Sequence, residues 1–230
     1  MTRPPFEQPS ELDIATVSAQ LGRPARDVIG ISARCVCGAP TVVSTRPRLS
    51  DGTPFPTLYY LSHPAATAAV STLEANGVMT ELALLLRAGE DPDAERGAAE
   101  HQVAERRAVE HPADEHQGVA AAYLAAHESY LADRNGIEFV AELDGISAGG
   151  MPTRVKCLHA LVAHALAAGA EMNPIGDLAL ARADWSPAVC ECEDYGLGSF
   201  GTSPATDGMR VGMRVGTSAI ANDVDGTVSR

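Results

Sequence analysis

A stretch between Glu90 and Gln117 divides the chain and limits what it can fold into. It carries nine acidic residues against three arginines and is poor in Leu, Ile, Val and Phe. Such a stretch buries too little apolar surface to offset the entropy of ordering it. Any core must therefore be assembled from the apolar segments on its two sides. The expected organisation is one domain over 10–185, interrupted by an acidic flexible insert at 89–117. A Gly/Ser/Thr-rich tail, expected to be disordered, follows over 186–230. Most of the net charge of −13 lies in the insert and the tail, so the domain itself is close to neutral. The acidity argues against a nucleic-acid surface, which needs clustered Lys and Arg. No apolar run reaches the ~20 residues of a membrane helix, and Met1–Glu7 has no apolar signal core. The expectation is a cytoplasmic protein without a membrane partner.

Before the insert, Ser10 can cap a helix over Glu11–Leu21, which Gly22 and Pro24 stop. Asp27–Ala33 and Pro40–Thr45 read as a hairpin across the Cys35–Gly38 turn, and Thr57–Leu61 as a third strand. Pro64 opens a helix that Asn76-Gly77 interrupts and that resumes through Leu86. After the insert, Val119–Arg134 reads as helix, and Ile137–Leu143 is ambiguous between strand and helix. Thr153–Ala168 reads as a helix with Pro152 at its tolerated first position, followed by Pro174–Arg182. The fold class is α+β, with a small three-stranded antiparallel sheet packed with four to five helices.

The candidate chemistry centres on cysteine. Five cysteines in a chain read as cytoplasmic argue against a disulfide framework. Cys35 and Cys37 flank one residue in a turn, a closer spacing than the usual two to four residues of structural zinc sites. Cys190-Glu191-Cys192 repeats that spacing in the tail and chelates only if the tail docks. Cys157 lies in the first turns of the Thr153–Ala168 helix beside Arg154 and Lys156, where the helix N-terminus and the cations favour thiolate. His63 follows the third strand and comes near the Cys35 turn if the strands are neighbours. The metal-ligand set expected from these residues is Cys35, Cys37, Cys157 and His63, holding zinc or an iron–sulfur cluster. Arg34, Arg154 and Lys156 form a candidate anion-binding group. Two other readings stand beside the metal one. In one, Cys157 works with His159, Arg154 and Lys156 as a small enzyme on an anionic substrate. In the other, a metal-free adaptor binds a protein partner through the Asp51–Pro56 loop and Tyr59-Tyr60. His127 reads as a helix-surface residue. The residues identify no catalytic group outright.

The quoted segments carry a resemblance. They are Arg34–Pro40, Pro47–Leu61, Ala122–Glu128 and Gly149–Leu161. Over Ile14–Trp185 the chain resembles the mainly actinobacterial domain of unknown function 501 family. The resemblance implies a cytoplasmic protein and brings no activity with it. Such genes lie near those for enolase, a septum-formation initiator and an exopolyphosphatase, which implies a link to growth or division. The resemblance also implies a cysteine before the proline at 64, where this chain has Ser62-His63. A ligand role at that point either passes to His63 or is lost. The expected function is a non-catalytic metal- or thiol-dependent interaction or regulatory protein with an unknown protein partner.

Overall fold

The computed structural model describes residues 6–90 and 113–196. Among them run α1 (Glu11–Leu21), β1 (Val28–Arg34), β2 (Pro40–Thr45), β3 (Tyr59–Leu61), α2 (Pro64–Ala75), α3 (Val78–Glu90), α4 (Ala113–Asn135), α5 (Leu158–Ala168) and α6 (Pro174–Arg182). Short 3-10 turns lie at Ala141–Leu143 and Glu193–Tyr195. The architecture is α+β as expected, with six helices rather than four to five. No single described helix is long and apolar enough to cross a membrane.

The sheet is an antiparallel meander in the order β1-β2-β3. Val42 pairs with Leu61 and Val43 with Tyr60. All six residues of β2 are buried, as a central strand requires. At α1 the Ser10 hydroxyl accepts from the Asp13 N–H while the Asp13 carboxylate accepts from the Ser10 N–H. This reciprocal cap satisfies two of the donors that a helix start leaves unpaired.

The core draws on both sides of the acidic stretch. Leu58, Tyr59, Ala66, Val70 and Leu82 precede it, and Tyr123, Tyr130, Leu158, Leu161, Val162 and Ile175 follow it. Helix α5 is the central element, packing on β3, α2 and α6. Its buried set, Leu158, Leu161, Val162, Ala163, His164, Ala165 and Ala167, leaves little of its circumference to water, which is why it shows no one-sided apolar stripe. Tyr59 from β3, Tyr130 from α4 and His164 from α5 meet in the middle. Tyr59 stacks on His164 at 5.6 Å, and Tyr130 stands edge-on to both. The Tyr59 hydroxyl donates to Asp133 at 2.8 Å and the Tyr130 hydroxyl to the Pro56 carbonyl at 2.8 Å. Tyr59, offered by the sequence as a partner-binding residue, is thus fully buried. His127 likewise is only 9% exposed and bonds Ser147.

Two expectations along the chain are corrected. The helix expected from Thr153 begins at Leu158. Gly150 has φ +98, and a Cβ there would lie 2.7 Å from the Arg154 carbonyl oxygen. The chain folds back at this point, with Arg154 N–H donating to Gly150 O and Lys156 N–H to Gly149 O. Those bonds hold 153–157 as a tight loop instead of a first helical turn. Ile137–Leu143 is neither strand nor regular helix. The fully buried Arg134 shapes this segment by donating to the carbonyls of Leu143 and Ile146.

Helix α6 approaches α5 through Gly176, where a Cβ would lie 2.3 Å from the Leu161 carbonyl oxygen. In an open helix Gly→Ala stabilises by roughly 0.5–1 kcal/mol. Here backbone stands in the way, and Gly176→Ala is expected to lower the thermal midpoint. An unchanged or raised midpoint by circular dichroism would contradict this packing.

Candidate metal centre

Strand β1 ends at Arg34, and from Cys35 the chain turns back so that Cys35 N–H donates to Ala39 O and Gly38 N–H to Cys35 O. The turn is braced from outside. Arg34 donates to the Gly38 carbonyl at 2.9 Å, to Asp13 at 2.7 Å and to Glu7 at 2.8 Å. The guanidinium holds the Asp13 carboxyl at about 2, below the usual carboxylate range. Arg34, expected to take an anion, is therefore already engaged by two carboxylates of its own chain.

The second half of the centre comes from beyond α6. Trp185 is 6% exposed, and its ring lies 5.6 Å from that of His63. From this anchor the chain turns through Ser186–Val189 and returns to the Cys35 turn. One ligand atom from each of Cys35, Cys37, Cys190 and Cys192 lies within 4.8 Å of the others. Cys37 and Cys192 are 3.3 Å apart, and His63 Nε2 lies 3.2 Å from the Cys192 sulfur. Cys35 and Cys192 are buried, Cys37 is half-buried and Cys190 is exposed. The residues 186–196, expected within a disordered tail, carry two of the four thiols. Docking of Trp185 and the sulfur cluster outweighs their loop-like composition.

Burial pushes the Cys35 thiol up, and burial with the surrounding thiols pushes Cys192 up. At Cys37 burial acts in the same upward direction, but the Ala39 N–H and the thiols of Cys192, Cys190 and Cys35 outweigh it and bring that thiol down. Burial lowers His63, favouring the neutral ring. His63 Nδ1 has no hydrogen-bond partner although it is buried. Ligation of thiolates by a divalent cation reverses the cost of gathering them. With Zn–S bonds of about 2.3 Å, tetrahedral geometry sets sulfurs about 3.8 Å apart. The four sulfurs, all within 4.8 Å of one another and with Cys37 and Cys192 at 3.3 Å, are compatible with that ion. With an ion bound, His63 would stand as an outer partner, its Nε2 at 3.2 Å able to donate to a Cys192 thiolate.

Of the ligand set expected from the sequence, Cys35, Cys37 and His63 come together, with His63 behind Cys192. Cys157 is not among them. It lies on the loop before α5 with Glu74 of α2 and His159, the three ligand atoms within 4.8 Å of one another. The repeated Cys-x-Cys spacing was the available signal for Cys190 and Cys192. Arg154 and Lys156 are exposed on the same loop as Cys157. The interior of the acidic stretch and everything beyond 196 lie outside the described residues.

His159 Nδ1 sits 4.0 Å from the Cys157 sulfur and 3.2 Å from Glu74. The Cys157 interaction, opposed by burial and joined by the Glu74 charge, raises its pKa to about 9. In metal-free protein the raised value stabilises the fold fully below the ordinary histidine range. That contribution is lost as pH rises through about 9. A histidine-resolved NMR titration is expected to find His159 midway near that value. Stability of His159→Gln should show a flatter dependence across the same window. A midpoint at or below the ordinary value of 6.5 would contradict the arrangement.

A family model described as a protein of unknown function, DUF501, matches residues 31–113 and 100–181. These segments contain Cys35, Cys37, His63, Cys157 and His159, while Cys190 and Cys192 lie past them. No curated protein and no solved structure matches the chain. The match covers more than half of the chain, which therefore belongs to the DUF501 family of proteins of unknown function.

Proposed function

We propose that the protein is a non-catalytic metal-binding protein whose ion, zinc in the first place, fastens the segment after α6 to the sheet. The observation that carries this reading is the convergence of four cysteine sulfurs from two Cys-x-Cys segments far apart in sequence. Two thiols in one turn are a common accident, but two such pairs meeting at bonding distance are not. Four protein thiolates fill a tetrahedral shell and leave no position for substrate, which is the arrangement of structural sites. An iron–sulfur cluster would interpose its own iron and sulfide between the thiolates, so the closeness of these sulfurs favours a single ion.

The role that follows is interaction or regulation, in which the metal decides whether 186–196 is presented in one arrangement. A cytoplasmic setting, a protein partner and the link to growth or division belong to this reading and rest on the family resemblance. The metal-free adaptor is its competitor.

Protein purified without chelator is expected to carry a tightly held zinc that Cys37→Ser and Cys192→Ser each remove. Stripping with a strong chelator should lower the thermal midpoint and open the chain near 186–196 to protease. A folded, metal-free chain whose melting and cleavage ignore chelator would establish the adaptor reading instead.

A further inference from the structure

The cluster at the start of α5 stands apart from the four-cysteine centre, and its geometry is that of a second ligand set. Its three donors come from elements locked by different means. Cys157 ends the loop folded back on Gly149 and Gly150 and occupies the cap position of α5. Glu74, near the end of α2, accepts the Leu158 N–H at 2.7 Å, which aims its carboxylate at the α5 start. His159 Nε2 lies 3.2 Å from the Thr67 carbonyl oxygen and 3.1 Å from the Ser71 hydroxyl. A carbonyl can only accept, so Nε2 carries a hydrogen, and Nδ1 is the nitrogen turned to Cys157 and Glu74. Ligating histidines are held in this way, with the distal N–H on a backbone carbonyl and the other nitrogen toward the ion.

The spacings discriminate. Tetrahedral zinc with bonds of about 2.0 Å to nitrogen and oxygen and about 2.3 Å to sulfur separates N from O by about 3.3 Å and N from S by about 3.5 Å. The observed distances are 3.2 Å and 4.0 Å, so the nitrogen–oxygen spacing already fits and the nitrogen–sulfur spacing has to close by about half an ångström. The side chains of Glu74 and His159 keep 24% and 26% of their surface exposed, so water reaches the cluster. We propose that Glu74, Cys157 and His159 form a second metal site for a zinc-class divalent ion, open at its fourth position. Thiolate and imidazole together select zinc over magnesium or calcium, which prefer all-oxygen shells. Unlike the four-thiolate centre, this site leaves a position free for water or an exogenous ligand. It stands independently of the centre proposed above.

Titration of the metal-stripped full chain with Co2+ tests it. The wild-type chain is expected to take two equivalents, one with the intense charge-transfer bands of four thiolates and one with the weaker bands of a single thiolate. Cys157→Ser and His159→Ala should each abolish the second and leave the four-thiolate spectrum intact. Conversely, Cys190→Ser with Cys192→Ser should remove the four-thiolate bands and leave the Cys157-dependent equivalent, which separates failure of one site from failure of the other. Long-range 1H–15N spectra of the wild-type chain with Zn2+ should show ligation at His159 Nδ1, a readout that needs no variant. Stoichiometry unchanged by Cys157→Ser and His159→Ala, or a His159 ring unmoved by Zn2+, would overturn the proposal.

Discussion

The meeting of Tyr59, Tyr130 and His164 is the constraint on which the rest depends. The three rings come from β3, α4 and α5 and so join chain from before and after the acidic stretch. Aromatic pairs at these distances add ~0.5–1.5 kcal/mol beyond their buried area. Leaving polar atoms unpaired in such a place is costly. The tyrosine hydroxyls reach Asp133 and the Pro56 carbonyl, and His164 Nδ1 accepts from the Asn173 amide at 3.1 Å. Asn173 in turn caps α6 through the Gly176 N–H. One knot thus sets the direction of β3, the depth of α5 and the start of α6.

From this knot the positions of both thiol clusters follow. Strand β3 leads to His63 at the start of α2, and α6 leads to Trp185, whose ring meets His63. That contact returns the chain to the Cys35 turn. The seating of α5 against α2 brings Leu158 and His159 to Glu74. The braced turn under Arg34 and the folded-back loop before Cys157 are rigid for different reasons. Carboxylates clamp one, and close backbone approach shapes the other.

Local signals made much of the fold legible. Ser10 with Asp13, Asn76-Gly77 and the β-branched runs around Cys35 each act within a few residues, and the elements they mark fall close to where they were expected. Features set by backbone conformation and by burial, which residue type does not announce, were not legible. The loop at 153–157 contains residues that helices accept, and only the positive φ of Gly150 and its crowding against Arg154 rule a helix out. Arg134 ends an ordinary amphipathic pattern, yet it is fully buried because two carbonyls of the following segment need its guanidinium. At the candidate site, half of the cysteine set was visible in the Cys35 turn. Cys190 and Cys192 were obscured by a Gly/Ser/Thr-rich composition that says nothing about docking, and Cys157 drew attention to a cluster of its own.

The docking of residues 186–196 through sulfur has a thermodynamic consequence. An ion that binds the docked arrangement and not the released one stabilises docking by mass action, in proportion to the logarithm of its free concentration. Each tenfold fall in free zinc would then weaken the hold on this segment by about 1.4 kcal/mol. The thermal midpoint of the domain, to which docking of this segment contributes, would fall with it. The chain would in this way carry a segment whose release tracks the chemical potential of a single ion.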